Sequence, residues 1–156
     1  MKNDVSLVVF CLDRQRYAVL LRVVERIIRA VEITRLPDAP SAVLGIIDLE
    51  GRVLPVLDIR RKLSLPEREL ATSDHFLIAS ASQRSVVLVV DDLQGVVEQP
   101  EASIVDTTQI FPGLVHIRSA AQSDDGLILI QDLEKFFSTD EVCILDEALA
   151  QYGTGR

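Results

Sequence analysis

Apolar residues along this chain fall in short runs rich in Val, Ile and Leu, each closed by a polar or proline-containing break, which is the pattern of strands and tight connections. Residues 5–12 form such a run with almost no polar interruption, so the spacing predicts a strand buried on both faces. Residues 13–16 (DRQR) are a polar turn and 17–21 the returning strand of a hairpin. Arg22 to Arg26 interrupts the apolar run with charge, and β-type residues resume over 27–33. Prolines 37 and 40 bar helix for the residues before them and make 36–40 a loop, leaving at most one helical turn over 41–44.

The stretch 45–63, GIIDLEGRVLPVLDIRRKL, reads as a second hairpin followed by the start of a helix. Ile46, Ile47 and Leu49 lie on one arm, and Val53, Leu54, Val56, Leu57 and Ile59 on the other. Between them Asp48-Leu49-Glu50-Gly51 places a glycine where a tight turn needs positive φ. Pro55 has no N–H for a ladder, so an edge or bulged strand is expected there. Asp58 is placed to cap the helix that follows.

Residues 65–74 are a polar connector and the expected boundary. Further hairpins are expected over 75–81 and 85–90, around 82–84, and over 114–120 and 127–131, around 122–126. Asp91 to Gln94 interrupts, 95–98 resumes, and 99–113 is irregular. Asp132 opens a short helical piece through Phe137. Ser138 stands three residues before Glu141 at capping-box spacing, and Leu145, Ala148, Leu149 and Tyr152 then share one face, predicting a helix over 138–152 that Gly153 ends.

The two halves echo each other. LLRVVERII, ending at Ile28, lies over VVDDLQGVV, ending at Val97: an apolar strand, a short polar break, a β-branched strand. Gly45-Ile46-Ile47 corresponds to Gly113-Leu114-Val115, and Asp58-Ile59-Arg60 to Asp132-Leu133-Glu134. The chain thus builds one small β module twice. Each is too small to bury much alone, so the two are expected to pack together with a groove at their junction.

At 156 residues and 48% hydrophobic content the chain can bury a real core, and with 4% aromatics that core is aliphatic. No apolar run approaches the about 20 residues needed to cross a bilayer, and the first ten residues carry charge where a signal peptide would be apolar, so a cytoplasmic protein is expected, with no direct membrane insertion. The net charge of −8 speaks against nucleic acid. It is uneven: residues 1–63 hold 11 Lys or Arg against 8 Asp or Glu, and residues 64–156 hold 5 against 16, which fits either solvation alone or two faces for two protein partners.

Enzyme motifs are missing: there is no GxSxG, P-loop, GxGxxG or HExxH. Cys11 and Cys143 lack CxxC spacing and a nearby histidine, and read as free buried thiols. The pairs Asp91-Asp92 and Asp124-Asp125 read as turn residues, since calcium wants about 6–8 oxygens in a spacing not seen here. No metal, cofactor or catalytic residue is therefore expected. A small metal- or thiol-dependent enzyme is the alternative of a different class.

These motifs, taken together, resemble the chemotaxis coupling protein (CheW-like) family. GIIDLEGRVLPVLDIRRKL is similar to the family's glycine, apolar pair, NLRG turn and V-D-L-R pattern. LLRVVERI resembles its V-x-E-V segment, with Val23 and Glu25 matching, and VVLVVDDLQGVVE its second-half stretch. The resemblance covers almost the whole chain. It implies an all-β fold with short helices: two intertwined five-stranded SH3-like β-barrel subdomains over roughly 15–65 and 75–137, with the N-terminal strand and the C-terminal helix 138–152 packing across. It also implies a non-enzymatic adaptor that links methyl-accepting chemoreceptor tips to the regulatory domain of the histidine kinase CheA in a cytoplasmic array, with rings of CheW-like proteins a further possibility.

On that resemblance the receptor groove is assigned to Val23, Val24, Glu25, Asp48, Glu50, Gly51, Val90 and Leu93, and a separate kinase-binding edge to Arg26, Ile28 and Arg52. Three positions depart from the family pattern: Glu50 replaces the turn arginine, Arg26 the apolar residue after the glutamate, and Val87 a glycine. A carboxylate on a receptor tip would be repelled by Glu50. A diverged paralog serving a dedicated receptor or a non-motility pathway is the alternative within the same class.

Overall fold

The computed structural model describes residues 3–81, 84–107, 117–123 and 126–154. The expected correspondence at 113–115, the pair Asp124-Asp125 and the turn residues 82 and 83 lie outside them. In chain order the elements are β1 (Asp4–Leu12), β2 (Gln15–Leu20), β3 (Val24–Arg29), β4 (Val43–Leu49), β5 (Arg52–Leu57), α1 (Ile59–Lys62), β6 (His75–Ala81), β7 (Arg84–Val90), β8 (Asp92–Pro100), β9 (Ile104–Asp106), β10 (Ile117–Ser123), β11 (Gly126–Gln131) and α2 (Thr139–Thr154). The strands form two sheets, in the orders β3-β6-β7-β5-β4 (barrel 1) and β8-β1-β2-β11-β10-β9 (barrel 2). The all-β fold with two barrel subdomains is thus present. Barrel 2 has a sixth strand, β9, in a stretch expected to be irregular.

The spans 15–65 and 75–137 do not coincide with the barrels, and the repeating units run from β1 through α1 and from β6 through Phe136. Barrel 1 takes β3, β4 and β5 from the first unit and the hairpin β6–β7 from the second, while barrel 2 takes β1 and β2 from the first and the rest from the second. Each unit lends its leading hairpin to the other's sheet. The two lent hairpins are anchored by the parallel pairs β5–β7 and β2–β11. The chain crosses between barrels at a 3₁₀ turn, Leu21–Val23, and at Asp91, which are the two polar breaks of the repeat.

Burial explains why the lent hairpins are apolar on both faces. One face of each lines its own barrel: Leu7, Val9 and Ala18 meet Ala121, Ile128 and Ile130 in barrel 2, and Phe76, Ile78 and Val87 meet Ile47, Leu54 and Val56 in barrel 1. The other face enters a shared core between the barrels, where Val8, Phe10, Leu12, Tyr17 and Val19 pack with Leu77, Ala79, Val86, Leu88 and Val90. Each fully buried side chain of this kind contributes about 1.5–3 kcal/mol. Val87, the departure from glycine, fills the interior of barrel 1 without exposure.

Barrel 1 closes where its two end strands approach: the amide of Thr34 donates to the carbonyl of Ile46 at 2.8 Å, and that of Ile46 to Thr34 at 2.7 Å. Gly45 permits this. A Cβ on it would lie 2.3 Å from the Thr34 carbonyl oxygen. Pro55 is not on an edge strand, because β5 lies between β4 and β7; the β5–β7 ladder begins only at Val56, so no partner needs the missing N–H, and the bulge lies in β4 between Val43 and Gly45. No helical turn forms over 41–44; Val43 already opens β4.

A polar network ties the connector 64–74 to both barrels. Arg60, side chain 10% exposed, donates to both carboxylate oxygens of Asp13 on the β1–β2 turn at 2.9 Å, to the Pro66 carbonyl at 3.1 Å, and to Asp91 at the second crossover. Arg68 bridges Asp91 at 2.8 Å and buried Asp74 at 2.5 Å. Asp13 is held below the usual carboxylate range, chiefly by Arg60. Asp91, read from sequence as a turn residue, is therefore an ion-pair partner.

Asp58 caps α1 by accepting from the Arg61 amide at 3.2 Å. Ser138 and Glu141 form the expected reciprocal capping box. Leu145 and Ala148 of α2 reach the shared core, and Lys62 of α1 pins Glu141 at 2.9 Å. Cys11 is half-buried, but Cys143 is exposed on α2, contrary to the buried thiol expected. No helix among the described residues is long and apolar enough to cross a membrane.

Gly45→Ala should destabilise the protein by roughly 1–3 kcal/mol through forced separation of Thr34 from Ile46. Gly51, where nothing lies within 4 Å of an added Cβ, should cost less, about 1 kcal/mol, and only through its φ of +88°. Urea midpoints of the two variants measure the difference. Arg60→Ala should lower the midpoint more than the Gly51 variant does, because it unpairs Asp13, leaves Asp91 with Arg68 alone and frees the Pro66 carbonyl; a midpoint like that of wild type would show the network to be ornamental.

Candidate binding surface

At one end of barrel 1 the strand termini of β3, β6, β7, β5 and the β4–β5 turn come together. The turn is fixed locally. Glu50 (φ +54°) and Gly51 (φ +88°) both take positive φ and Leu49 pairs with Arg52, the geometry of a two-residue type I′ hairpin loop. Asp48 Oδ1 accepts from the Gly51 amide at 2.9 Å and so braces the turn from within.

Four charged side chains and two serines then run around this rim. Glu25 on β3 accepts from Ser80 Oγ of β6 at 3.0 Å and from Ser85 Oγ of β7 at 2.5 Å. Arg52 of β5 donates to Ser85 Oγ at 2.6 Å and to Glu25 Oε2 at 3.5 Å. Arg26, next to Glu25 on β3, donates to Glu50 Oε1 at 3.2 Å. Hydrogen bonding to Ser85 is the main cause that holds the Glu25 carboxyl below the usual range; partial burial opposes it, and Ser80 and Arg52 add to it. Arg26, Arg52 and Glu50 are 47%, 55% and 75% exposed, so the outer side of this ring is open to a partner.

Val23 and Val24 lie beside the ring at the first crossover, half-buried against the shared core. Leu93 is half-buried too, but at the second crossover. Val24 pairs with Ala79 near the end of β6, whereas the β7 strand leading to Leu93 ends at Val90 opposite His75, so the two crossovers are about 13 Å apart along β6. Val90 has no exposure at all. It cannot form a groove wall, because its strand alternation turns it into the shared core, which the protein fills with its own side chains.

The proposed kinase edge is not separate either. Arg26 and Arg52 are the ion-pair partners of Glu50 and Glu25, and Ile28 packs half-buried toward the interior of barrel 1. The structure thus gathers Val23, Val24, Glu25, Arg26, Asp48, Glu50, Gly51 and Arg52 at one rim and leaves Val90, Leu93 and Ile28 outside it. Sequence reasoning missed Ser80 and Ser85, which pin Glu25; their signal was a serine at each end of the 81–84 turn. Among the described residues no group of three or more His, Cys, Asp or Glu is placed to hold a metal ion.

The family model for the CheW-like domain matches residues 6–141. The chemotaxis protein CheW of Bacillus subtilis (strain 168) is 30% identical over 104 residues, covering 67% of this chain and 67% of that protein. The probable chemotaxis protein CheW of Rhizobium etli is 29% identical over 143 residues, 90% of this chain and 92% of its own. Among solved structures, the scaffolding protein TtCheW from Thermoanaerobacter tengcongensis superposes with a TM-score of 0.81 at 25% identity, covering 90% of this chain and 96% of that one. With a family model spanning nearly the whole double-barrel unit, this chain belongs to the CheW-like family.

Proposed function

We propose that this protein is a non-catalytic scaffold of chemotaxis-type signalling, coupling the cytoplasmic helical tip of a chemoreceptor to the regulatory domain of a CheA-type histidine kinase in a cytoplasmic array. The observation that carries the reading is the family match over 6–141 together with a TM-score of 0.81 to a scaffolding protein. The rim chemistry supports it. Val23 and Val24 offer an apolar step for one face of an amphipathic helix, and the ring of Glu25, Arg26, Glu50 and Arg52 offers fixed charges beside it, the elements of helix-in-groove recognition. The exposed ion pairs add little to stability in high dielectric, so their worth is in choosing among partners.

A second reading has its own support. Glu50 at the tip of the turn carries the opposite charge to the family's arginine and is already engaged by Arg26. A scaffold serving one dedicated receptor would carry such a change.

Binding of purified protein to a CheA-type regulatory domain and to a chemoreceptor hairpin tests the main reading; low-micromolar affinity for the kinase domain is expected, and absence of binding to both at 100-fold higher concentration, roughly, rejects it. Val24→Asp should weaken binding of the receptor tip by about tenfold or more, by placing a charge against the apolar side of the docked helix. Leu93→Asp, at the other crossover, should weaken it by far less. Titration calorimetry on both variants, with melting curves as the folding control, reads the contrast.

A further inference from the structure

The end of barrel 1 away from the charged rim is not filled by the protein's own side chains. There the last residues of β5 and β7 and the first of β4 and β6 meet beneath the connector 64–74, and a cavity of about 400 Å³ lies between the strand ends and the connector. Ile33, Leu57 and Val89 line it from the barrel side. Leu44 and Leu70 line it too, yet stay 42% and 41% exposed. The volume falls in the range of roughly 300–1,000 Å³ common to small-molecule sites, which likewise combine apolar walls with a few charges.

Ion pairs hold the connector off the barrel end. The Pro66 carbonyl accepts from Arg60 at 3.1 Å, Glu67 meets Arg61 at 2.7 Å, and Arg68 reaches Asp74 at 2.5 Å and Asp91 at 2.8 Å. Arg60 and Asp74 are buried, so this frame stands whether or not anything occupies the space beneath it. The same pairs use up the carboxylates: Asp58, Glu67, Asp74 and Asp91 each have an arginine partner. Arg35 differs from the other charges of the lining. Among the described residues none forms an ion pair or hydrogen bond with its side chain. Its backbone is set by the residue before it, because Thr34 is bridged in both directions to Ile46.

We infer that this cavity is a binding site for a small organic acid, an apolar body carrying one carboxylate. The body covers Leu44 and Leu70, and the carboxylate pairs with Arg35. An arginine fork matches a carboxylate through two parallel N–H donors, and taking half-exposed leucines out of water supplies the apolar part. An organic base of the same shape meets carboxylates that are already taken. The repeat provides a contrast within the molecule. At the corresponding end of barrel 2, Asp132 and Glu134 stand where barrel 1 has Asp58 and Arg60, and the cleft there sets Glu101, Asp106, Asp132 and Glu134 against Arg22. Such a lining disfavours an anion, so the acid site belongs to one barrel only. None of its residues lies on the rim, and the inference goes beyond the scaffold reading without resting on it.

Octanoate is the probe, with 1-octanol and octylammonium as neutral and cationic bodies of the same length. Titration of the full chain, followed by methyl NMR, should show one-to-one binding of octanoate that saturates below about 1 mM. Shifts should appear at Ile33, Leu44, Leu70 and Val89, and not at Ile104, Val105 or Ile144. Octanol and octylammonium should bind about fivefold more weakly or worse. Arg35→Gln, at an exposed position, should melt within a few degrees of wild type and lose the preference for octanoate over octanol. Octanoate shifts that fail to saturate, or that spread equally to Val105 and Ile144, overturn the proposal, as does the absence of binding. It is overturned too if octanol binds as tightly as octanoate, or if Arg35→Gln binds octanoate as wild type does.

Discussion

The shared core between the barrels sets the terms for everything else in this molecule. Two hairpins, β1–β2 and β6–β7, each have one face inside a barrel and one face against the other hairpin. Neither face meets water, which is why their sequences run apolar through successive positions and not in alternation. A hairpin of this kind cannot stand at the surface of a single module. It must be covered twice, and the chain meets that demand by placing each unit's leading hairpin in the other unit's sheet. Separating the barrels would expose Phe10, Leu12, Leu77 and Leu88 together, so the two barrels form a single cooperative body, and the junction between them is packed solid. What remains for a partner is the margin of that junction.

That margin is set by the crossovers. Where the chain passes from one barrel to the other it must leave a ladder and turn, and at those points apolar residues of the shared core come partly into view: Val23 and Val24 at one, Leu93 at the other. The crossovers are equivalent by the repeat but are treated in opposite ways. Asp91 is tied down by Arg60 and Arg68, and through them to the connector and the β1–β2 turn. Glu25, on the strand that follows the first crossover, is tied to serines and to Arg52, and its neighbours Arg26 and Glu50 stay open to solvent. One crossover is locked beneath internal salt bridges; the other presents its charges outward. The internal duplication thus yields one end tied down by internal ion pairs and one end with exposed charges from nearly the same scaffold.

The sequence carried the strands, the turns and the caps well, because each depends on neighbours: the type I′ loop at Glu50-Gly51, the caps at Asp58 and Asp132, and the box at Ser138 and Glu141 are all local chemistry. It carried the duplication but not the exchange of hairpins, since residues 65–74 look the same whether the strands on either side stay home or cross over. The apolar runs at 5–12 and 85–90 held the clue, as strands covered on both faces. Val90 was misplaced for a related reason. The resemblance placed it on a groove wall, while strand parity, which depends on where β7 begins pairing, sends it inward. The division of Glu25 and Glu50 from Arg26 and Arg52 failed because residues adjacent in sequence on β3 were assigned to different faces. A bulge between Val24 and Arg26 breaks the alternation there and leaves Glu25 and Arg26 both exposed on the same rim.

That bulge links the fold to the pattern of charge at the rim. In a regular strand Glu25 and Arg26 would point to opposite faces, one inward and one outward. The extra residue lets both contribute to one surface, Glu25 toward Ser80 and Ser85 and Arg26 toward the turn at Glu50. A ring of alternating charge, Glu25, Arg52, Glu50 and Arg26, is then assembled from only two strands and a turn. Because every carboxylate in it already has a basic partner, the ring presents an ordered pattern of charges and not a net charge. Exchanging one charge for its opposite would change that order while leaving the barrel beneath it, closed at Thr34 and Ile46 and filled by Val87, unaltered.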